Sequence, residues 1–264
     1  MKKIFSFDRF FKYFKYDLVN AKSNFGLALI ILGFLPLMTF IVSNLFSLVF
    51  TGSWVNNTFA TGISGVAFGA TYVISSIILG VKLYGSLTDK KAGSNWIMIP
   101  ASTFEKFLSM FLIVFVIAPV CLAVLLLASD LLLSLLPGYT PVTSWIKDVV
   151  STMANSGFKV NYVALIWVMW GNYALAFLLG AIIFKKAKVG KTILWMFIIA
   201  TVSGIVATNF IGMTNITESF IKDAAVVDMS GFQSRLNWFL NISYIGWIAL
   251  LCAGIFWRLK TIKH

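Results

Sequence analysis

The sequence has very few of the residues that most often carry chemistry, and it has little charge. One histidine, His264, and two cysteines, Cys121 and Cys252, occur among 264 residues. A histidine-based catalytic triad, a zinc site and a disulfide framework are therefore excluded. Charged residues make up only 11% of the chain, whereas soluble domains carry about 25%. So few charges cannot cover a surface in water, which indicates a chain surrounded mainly by lipid.

Apolar residues dominate instead, at 59% of the sequence with a mean hydropathy of +0.91. A helix needs roughly 20 apolar residues to cross a bilayer core of about 30 Å. The long runs do not show the two-residue alternation of membrane strands, so they predict helices. The predicted fold is an all-α, polytopic membrane protein with six transmembrane helices, at residues 25–50, 61–84, 107–136, 162–184, 192–213 and 238–257.

Two prolines fall inside predicted spans. Pro36 should kink the first span, which membrane helices tolerate. The third span is longer than a bilayer core requires, so it must tilt, bend at Pro119 or protrude.

The distribution of positive charge predicts the orientation. Seventeen of the 21 Lys and Arg residues lie in the N-terminal arm 1–24, the second and fourth connections and the tail 258–264. By the positive-inside rule this side is cytoplasmic, and both termini lie on it. The net charge of +12 is then explained by contact with anionic headgroups, so nucleic acid is not an expected partner. The first apolar run is also too long for a signal peptide.

The arm 1–24 has the pattern of an amphipathic helix. Phe7, Phe11, Phe14 and Leu18 recur at helical spacing and form one apolar stripe, with Ser6 as a possible N-cap. The stripe is typical of a helix that lies in the cytoplasmic interface. Packing of the stripe on the protein itself explains it equally well.

On the opposite side, 144–155 and 217–228 are predicted to form short surface helices. In the second span, small residues share one face at helical spacing, namely Thr61, Gly65, Gly69, Ser76 and Gly80. Such a face lets helix backbones approach closely, either within the chain or between subunits.

Motifs for catalysis or ATP binding are incomplete. Gly62-Ile63-Ser64-Gly65 matches the GxSG of rhomboid-like proteases, but no histidine base is available in another span. Gly190-Lys191-Thr192 resembles the end of a P-loop, yet Lys185 stands where its first glycine should be. No enzyme activity, cofactor or metal site is therefore expected.

The spans also lack the midplane charge on which ion-coupled transporters depend. Asp130 lies near the predicted outer end of the third span. It is interpreted as a solvated residue at the membrane boundary, and the alternative is that it lines a transport pathway. Energy for uphill transport should therefore come from a partner.

The connection 88–106 between the second and third spans carries the most local information. Pro100 ends an extended stretch that starts at Trp96. Ser102 and Glu105 form the S-x-x-E pattern of a capping box, which fixes the start of the third span. Trp96 and Met98 are predicted to form a docking knob at the membrane surface, unless the segment is only a well-capped loop.

The run 99–108, IPASTFEKFL, resembles the LPxSxxEKxL stretch of type 2 ABC-transporter permeases, with Ile99 in place of the commoner leucine. The arm, the six spans and the cytoplasmic ends are similar as well. The resemblance implies a permease subunit of the bacterial cytoplasmic (inner) membrane that pairs with a second permease subunit. It also implies a coupling helix that docks on a separate ATPase subunit, and ATP would bind only to that subunit. The residues placed at or beside this contact are Trp96, Ile99, Pro100, Ser102, Glu105 and Lys106.

A second class of function remains open on the same residues. A membrane scaffold or a sensory or regulatory subunit would use the same basic loops and packing faces to bind a cytoplasmic partner. An intramembrane enzyme is the weakest candidate, because no nucleophile and base occur together. The sequence indicates neither the substrate nor the direction of transport.

Overall fold

The structure is a computed structural model that describes residues 5–52, 58–88, 93, 96, 98–136, 139, 141, 144, 151, 162–213 and 229–261. It describes the backbone alone for residues 58–61, 162–165, 206–213 and 229–244. Within this part of the chain, all regular secondary structure is helical. The predicted surface helices at 144–155 and 217–228 lie outside the described residues, apart from Ser144 and Ser151.

The described part of the chain contains a series of α-helices. Their bounds are α1 Phe7–Gly33, α2 Leu35–Thr51, α3 Thr58–Tyr84, α4 Thr103–Leu112, α5 Ala118–Ser134, α6 Tyr162–Ile183, α7 Lys188–Met213 and α8 Met229–Thr261. A 3-10 helix, Gly85–Thr88, follows α3, and a π-helical turn, Ile113–Ile117, joins α4 to α5.

Five helical stretches are long and apolar enough to cross a membrane. They are Phe7–Thr51, Gly62–Thr88, Thr103–Ser134, Ile166–Ile183 and Lys188–Ile205. The coarse prediction, an all-helical chain with several possible membrane spans, is confirmed. The sixth predicted span, 238–257, falls in α8, whose side chains are described only from residue 245 onward.

The first predicted span is broken where proline was expected to break it. Helix α1 ends at Gly33 and α2 begins at Leu35, so Pro36 is the second residue of α2. The arm is continuous with the first half of this span, because α1 runs without a break from Phe7. The third span is interrupted in the same way, since its π-helical turn ends two residues before Pro119.

The arm buries one face and exposes another. Phe10 and Tyr13 are buried, whereas Phe7 and Phe11 of the predicted stripe are 70% and 61% exposed. Phe7 and Phe11 therefore form an exposed part of the stripe, whereas Phe14 packs against buried residues of the core. Ser6 does stand at the N-cap, but its side chain makes no capping hydrogen bond, contrary to the prediction.

The predicted small-residue face of α3 divides into two parts. Gly80 lies against the backbone of α6, where a β-carbon would stand 2.7 Å from the Leu178 nitrogen, and Ser76 is buried. Among the described residues, nothing lies within 4 Å of the same position at Gly65 or Gly69. Close packing between described helices therefore explains the part of this face at Ser76 and Gly80, and the side chain of Thr61 is outside the described part.

The main core lies where α3, α4, α6 and α8 meet. Its least exposed members include Leu79, Met110, Trp170, Leu175 and Ile255. Both α3 and α4 flank the connection 88–106, so this core supports the segment that the sequence singled out.

Candidate docking site at the corner and the N-terminal arm

The described residues of 88–106, which we call the corner, end in the predicted capping box. The Glu105 backbone N–H donates to Ser102 Oγ at 3.2 Å, and the Ser102 backbone N–H donates to Glu105 Oε2 at 2.7 Å. Both hydrogen bonds are present, so the prediction is confirmed. The box satisfies two N–H groups that have no partner within the helix, and it fixes the direction in which α4 leaves the corner.

The Glu105 carboxylate also binds the arm. Arg9 donates from Nη2 to Oε1 at 2.7 Å and from Nε to Oε2 at 2.8 Å, and the Ser6 backbone N–H donates to Oε1 at 2.9 Å. The Glu105 side chain is fully buried, while that of Arg9 is 40% exposed. A two-pronged ion pair of this kind fixes geometry as well as charge. Glu105 therefore holds the arm and cannot itself face a docking partner.

One turn further along α1, Tyr13 meets the middle of the corner. Trp96 donates from Nε1 to the Tyr13 hydroxyl at 3.1 Å. Lys106 donates from Nζ to the Trp96 carbonyl at 2.8 Å and lies 4.4 Å from the centre of the Trp96 ring. Lys106 is only 5% exposed, so its charge is compensated by the carbonyl and by the face of the indole. These two predicted contact residues thus support the corner from inside.

A third contact follows after one more turn. The Asp17 carboxylate accepts hydrogen bonds from Ser109 Oγ at 2.6 Å and from the Tyr84 hydroxyl at 3.0 Å. Asp17 is buried, and its two donors belong to α4 and α3. Arg9, Tyr13 and Asp17 are spaced by four residues, so they lie on one face of α1.

This face of α1 was not predicted to be a contact surface. The sequence does indicate it, because polar side chains recur at positions 9, 13 and 17 on the side of α1 away from Phe7 and Phe11. The sequence could not supply the partner of each group, because the paired residues are separated by 67 to 96 positions.

The part of the corner that remains accessible is small. Met98 is 77% exposed, Pro100 is exposed and Ile99 is half-buried. Beside them an open groove of about 540 Å³ separates the corner from the arm. The groove is lined by Ser6, Asp8, Arg9, Lys12, Tyr13, Tyr16, Ile99, Pro100 and Ala101. Apolar walls with charges at the rim suit the docking of another polypeptide better than the binding of a small ion.

Asp130 does not have the predicted solvated position. It is 4% exposed, and it accepts a hydrogen bond from the Tyr139 hydroxyl at 2.7 Å. The Tyr139 ring lies edge-on against Phe40 of α2, with ring centres 5.2 Å apart. Asp130 therefore belongs to a packed contact between α2 and α5, because tertiary packing covers a residue that chain position alone placed at the water boundary.

The other candidate motifs do not form sites in the part of the chain that the structure describes. Gly190, Lys191 and Thr192 lie inside α7, and Thr192 Oγ1 donates to the Lys188 carbonyl of its own helix. The Lys191 backbone N–H donates to the Ala187 carbonyl, so it is not available to a phosphate, and Lys185 stands where the first glycine of the loop should be. No cluster of three or more His, Cys, Asp or Glu suited to a metal ion occurs among the described residues.

Comparison of the chain with protein-family models, with curated proteins and with solved structures gives no match. The resemblance of 99–108 to ABC permeases therefore stays a prediction. The features that bear on function are the corner, the arm and the groove between them.

Proposed function

We propose that this chain is the membrane-spanning permease subunit of an ABC-type exporter in a bacterial cytoplasmic membrane. It would cross the membrane six times with both ends in the cytoplasm, and it would pair with a second permease subunit. A separate ATPase subunit would bind ATP and dock at the corner. The chain itself would supply no catalytic residue and no cofactor.

One observation carries this proposal, namely the rigid construction of the corner. Glu105 joins the start of α4 to the arm, and Trp96 joins the middle of the corner to Tyr13. The first turns of α1 and α4 and the exposed tip at Met98–Pro100 are thus tied together. A partner that pushes on this tip would move two spans together, whereas a loop without these contacts would absorb the push.

The docking surface in this proposal differs from the one that the resemblance implies. Glu105 and Lys106 are buried and act as supports. The accessible surface would consist of Met98, Ile99 and Pro100 together with the groove beside the arm. The concentration of Lys and Arg around this end supports its cytoplasmic position, since 17 of the 21 basic residues fall on the predicted inner side.

Substitution of exposed methionines tests the proposal. Met98→Ala should reduce copurification of a nucleotide-hydrolysing subunit when the protein is isolated from its native membrane under mild conditions. Met38→Ala is the matched control, because Met38 is also exposed, at 60%, but lies in α2. Copurification of a kinase or another regulator in place of an ATPase would contradict the permease and favour the scaffold or sensory subunit.

A further inference from the structure

Two of the helical segments are broken at a proline, and a side chain from a neighbouring helix repairs each break. In the third span, the Ala118 backbone N–H donates to the Ile113 carbonyl, five residues back. The next residue is Pro119, which has no N–H to offer. The Val114 carbonyl is thus left without its regular helical partner. Trp170 of α6, which is 1% exposed, donates to this carbonyl from Nε1 at 3.0 Å.

The first span has a similar arrangement, although the Leu32 carbonyl also accepts from the Phe34 backbone N–H within the break. In an unbroken helix the Leu32 carbonyl would accept from residue 36, but residue 36 is proline. Thr71 of α3, which is fully buried, donates from Oγ1 to the Leu32 carbonyl at 3.2 Å. Proline breaks in membrane helices are tolerated when a neighbouring side chain satisfies the freed backbone group.

The two repaired breaks are close to each other. Tyr72 follows Thr71 in α3, and its ring lies edge-on against the Trp170 ring, with centres 5.3 Å apart. Gly33, at the end of α1, approaches α5 so closely that a β-carbon would stand 2.6 Å from the Leu125 β-carbon. The donor Thr71 belongs to α3 and the donor Trp170 belongs to α6, and the backbones of these two helices touch at Gly80.

The breaks separate two pairs of helices, which meet each other where Gly33 of α1 approaches Leu125 of α5. Helices α1 and α4 form the corner pair, joined by Arg9 to Glu105 and by Asp17 to Ser109. Helices α2 and α5 form the far pair, joined where Phe40 packs with Leu133 and Tyr139. Each span therefore has one half in the corner pair and one half in the far pair.

We infer that the two breaks form a hinge layer, at which the corner pair pivots against the far pair while α3 and α6 remain as the scaffold. Trp170 and Thr71 are positioning residues that hold the hinge in the conformation seen here. A π-helical turn and a proline are both recognised causes of helix bending, and π-helical turns occur frequently at functional sites. This inference does not depend on the identity of the partner or the cargo.

Spin-label distances in the full-length protein test the hinge. The labels are placed at Phe104 of α4 and Leu127 of α5, which are 43% and 57% exposed, in a background without Cys121 and Cys252. The protein is reconstituted into lipid nanodiscs, and double electron–electron resonance records the distance distribution. Trp170→Phe, which keeps a large ring but removes the donor, should broaden this distribution or add a second distance.

Two further variants separate a hinge from a simple stabilising contact. Trp195→Phe is the matched control, because Trp195 is 53% exposed and belongs to α7, which supplies neither of the two donors. This variant should leave the distribution unchanged. Pro119→Ala restores a backbone N–H, so the double variant with Trp170→Phe should return to the narrow distribution. Pro119→Ala alone, which does not remove the indole, should be at least as narrow as the unaltered protein, and it keeps the test usable if Trp170→Phe fails to fold.

The first span provides an independent repeat with labels at Val19 and Phe46. Thr71→Val should broaden that distance, and Pro36→Ala should reverse the effect. A label pair on the scaffold, Val66 with Ile183, should not change in any variant. An unchanged distribution in both Trp170→Phe and Thr71→Val would overturn the hinge, and so would a broadening that the proline substitutions fail to reverse.

Discussion

Helix α3 approaches α6 closely at Gly80. A glycine-to-alanine substitution in α3 should therefore lower or raise the stability of the protein according to its position. A β-carbon at residue 80 would lie 2.7 Å from the Leu178 nitrogen and 2.9 Å from its α-carbon. These are backbone atoms, so no side-chain rotation relieves the overlap, and the helices would have to separate by roughly 1 Å to restore ordinary contact. Overpacking of this kind costs about 1–3 kcal/mol. Gly80→Ala should therefore destabilise the protein.

Gly65 and Gly69 of the same helix supply matched controls with the opposite expectation. No described residue lies within 4 Å of either position, so an added methyl group meets no steric barrier from the described helices. Alanine is better than glycine in a helix by up to about 1 kcal/mol. Gly65→Ala and Gly69→Ala should therefore leave stability unchanged or raise it slightly.

The assay is reversible unfolding of the purified protein in bicelles, followed by tryptophan fluorescence against a denaturing detergent. Equal stability of Gly80→Ala and Gly65→Ala would refute the close helix contact. Destabilisation by Gly65→Ala would show that this part of the face is covered, either by residues outside the described part of the chain or by a second subunit.

Three other predictions follow from single contacts. Glu105→Gln should free the arm, because the amide cannot replace the charge that Arg9 binds. The rate of backbone amide hydrogen exchange in residues 5–17 should then rise. An unchanged rate would argue against the ion pair as the anchor of the arm. Tyr139→Phe should cost about 1–3 kcal/mol of unfolding free energy by removing a buried donor to Asp130, and a neutral result in the same assay would contradict that contact. In a background without the native cysteines, Met98→Cys should react with a membrane-impermeant maleimide only after cells are permeabilised, and labelling of intact cells would reject the cytoplasmic corner.

Local sequence signals predicted some features that one segment decides by itself, but not all. Ser6 makes no capping hydrogen bond, and Trp96 and Met98 are helical where an extended stretch was predicted. The capping box at Ser102 and Glu105 forms as predicted, since its donors and acceptors are three residues apart. Pro36 and Pro119 mark interruptions of regular helix, because proline cannot donate to the preceding turn whatever surrounds it. Composition alone indicated the membrane, since so few charged residues cannot cover a surface in water.

Tertiary structure decided which face of each segment is used. The resemblance to ABC permeases placed Glu105 and Lys106 at or beside the docking contact. In the structure Glu105 binds Arg9 of the arm and Lys106 packs on Trp96. The contact residues Arg9, Tyr13 and Asp17 of the arm were not recognised from the sequence. Asp130 is buried by Tyr139 although its position in the span suggested contact with water. Hydrophobic periodicity reports that a surface will be covered, but which distant residue covers it depends on how the helices pack.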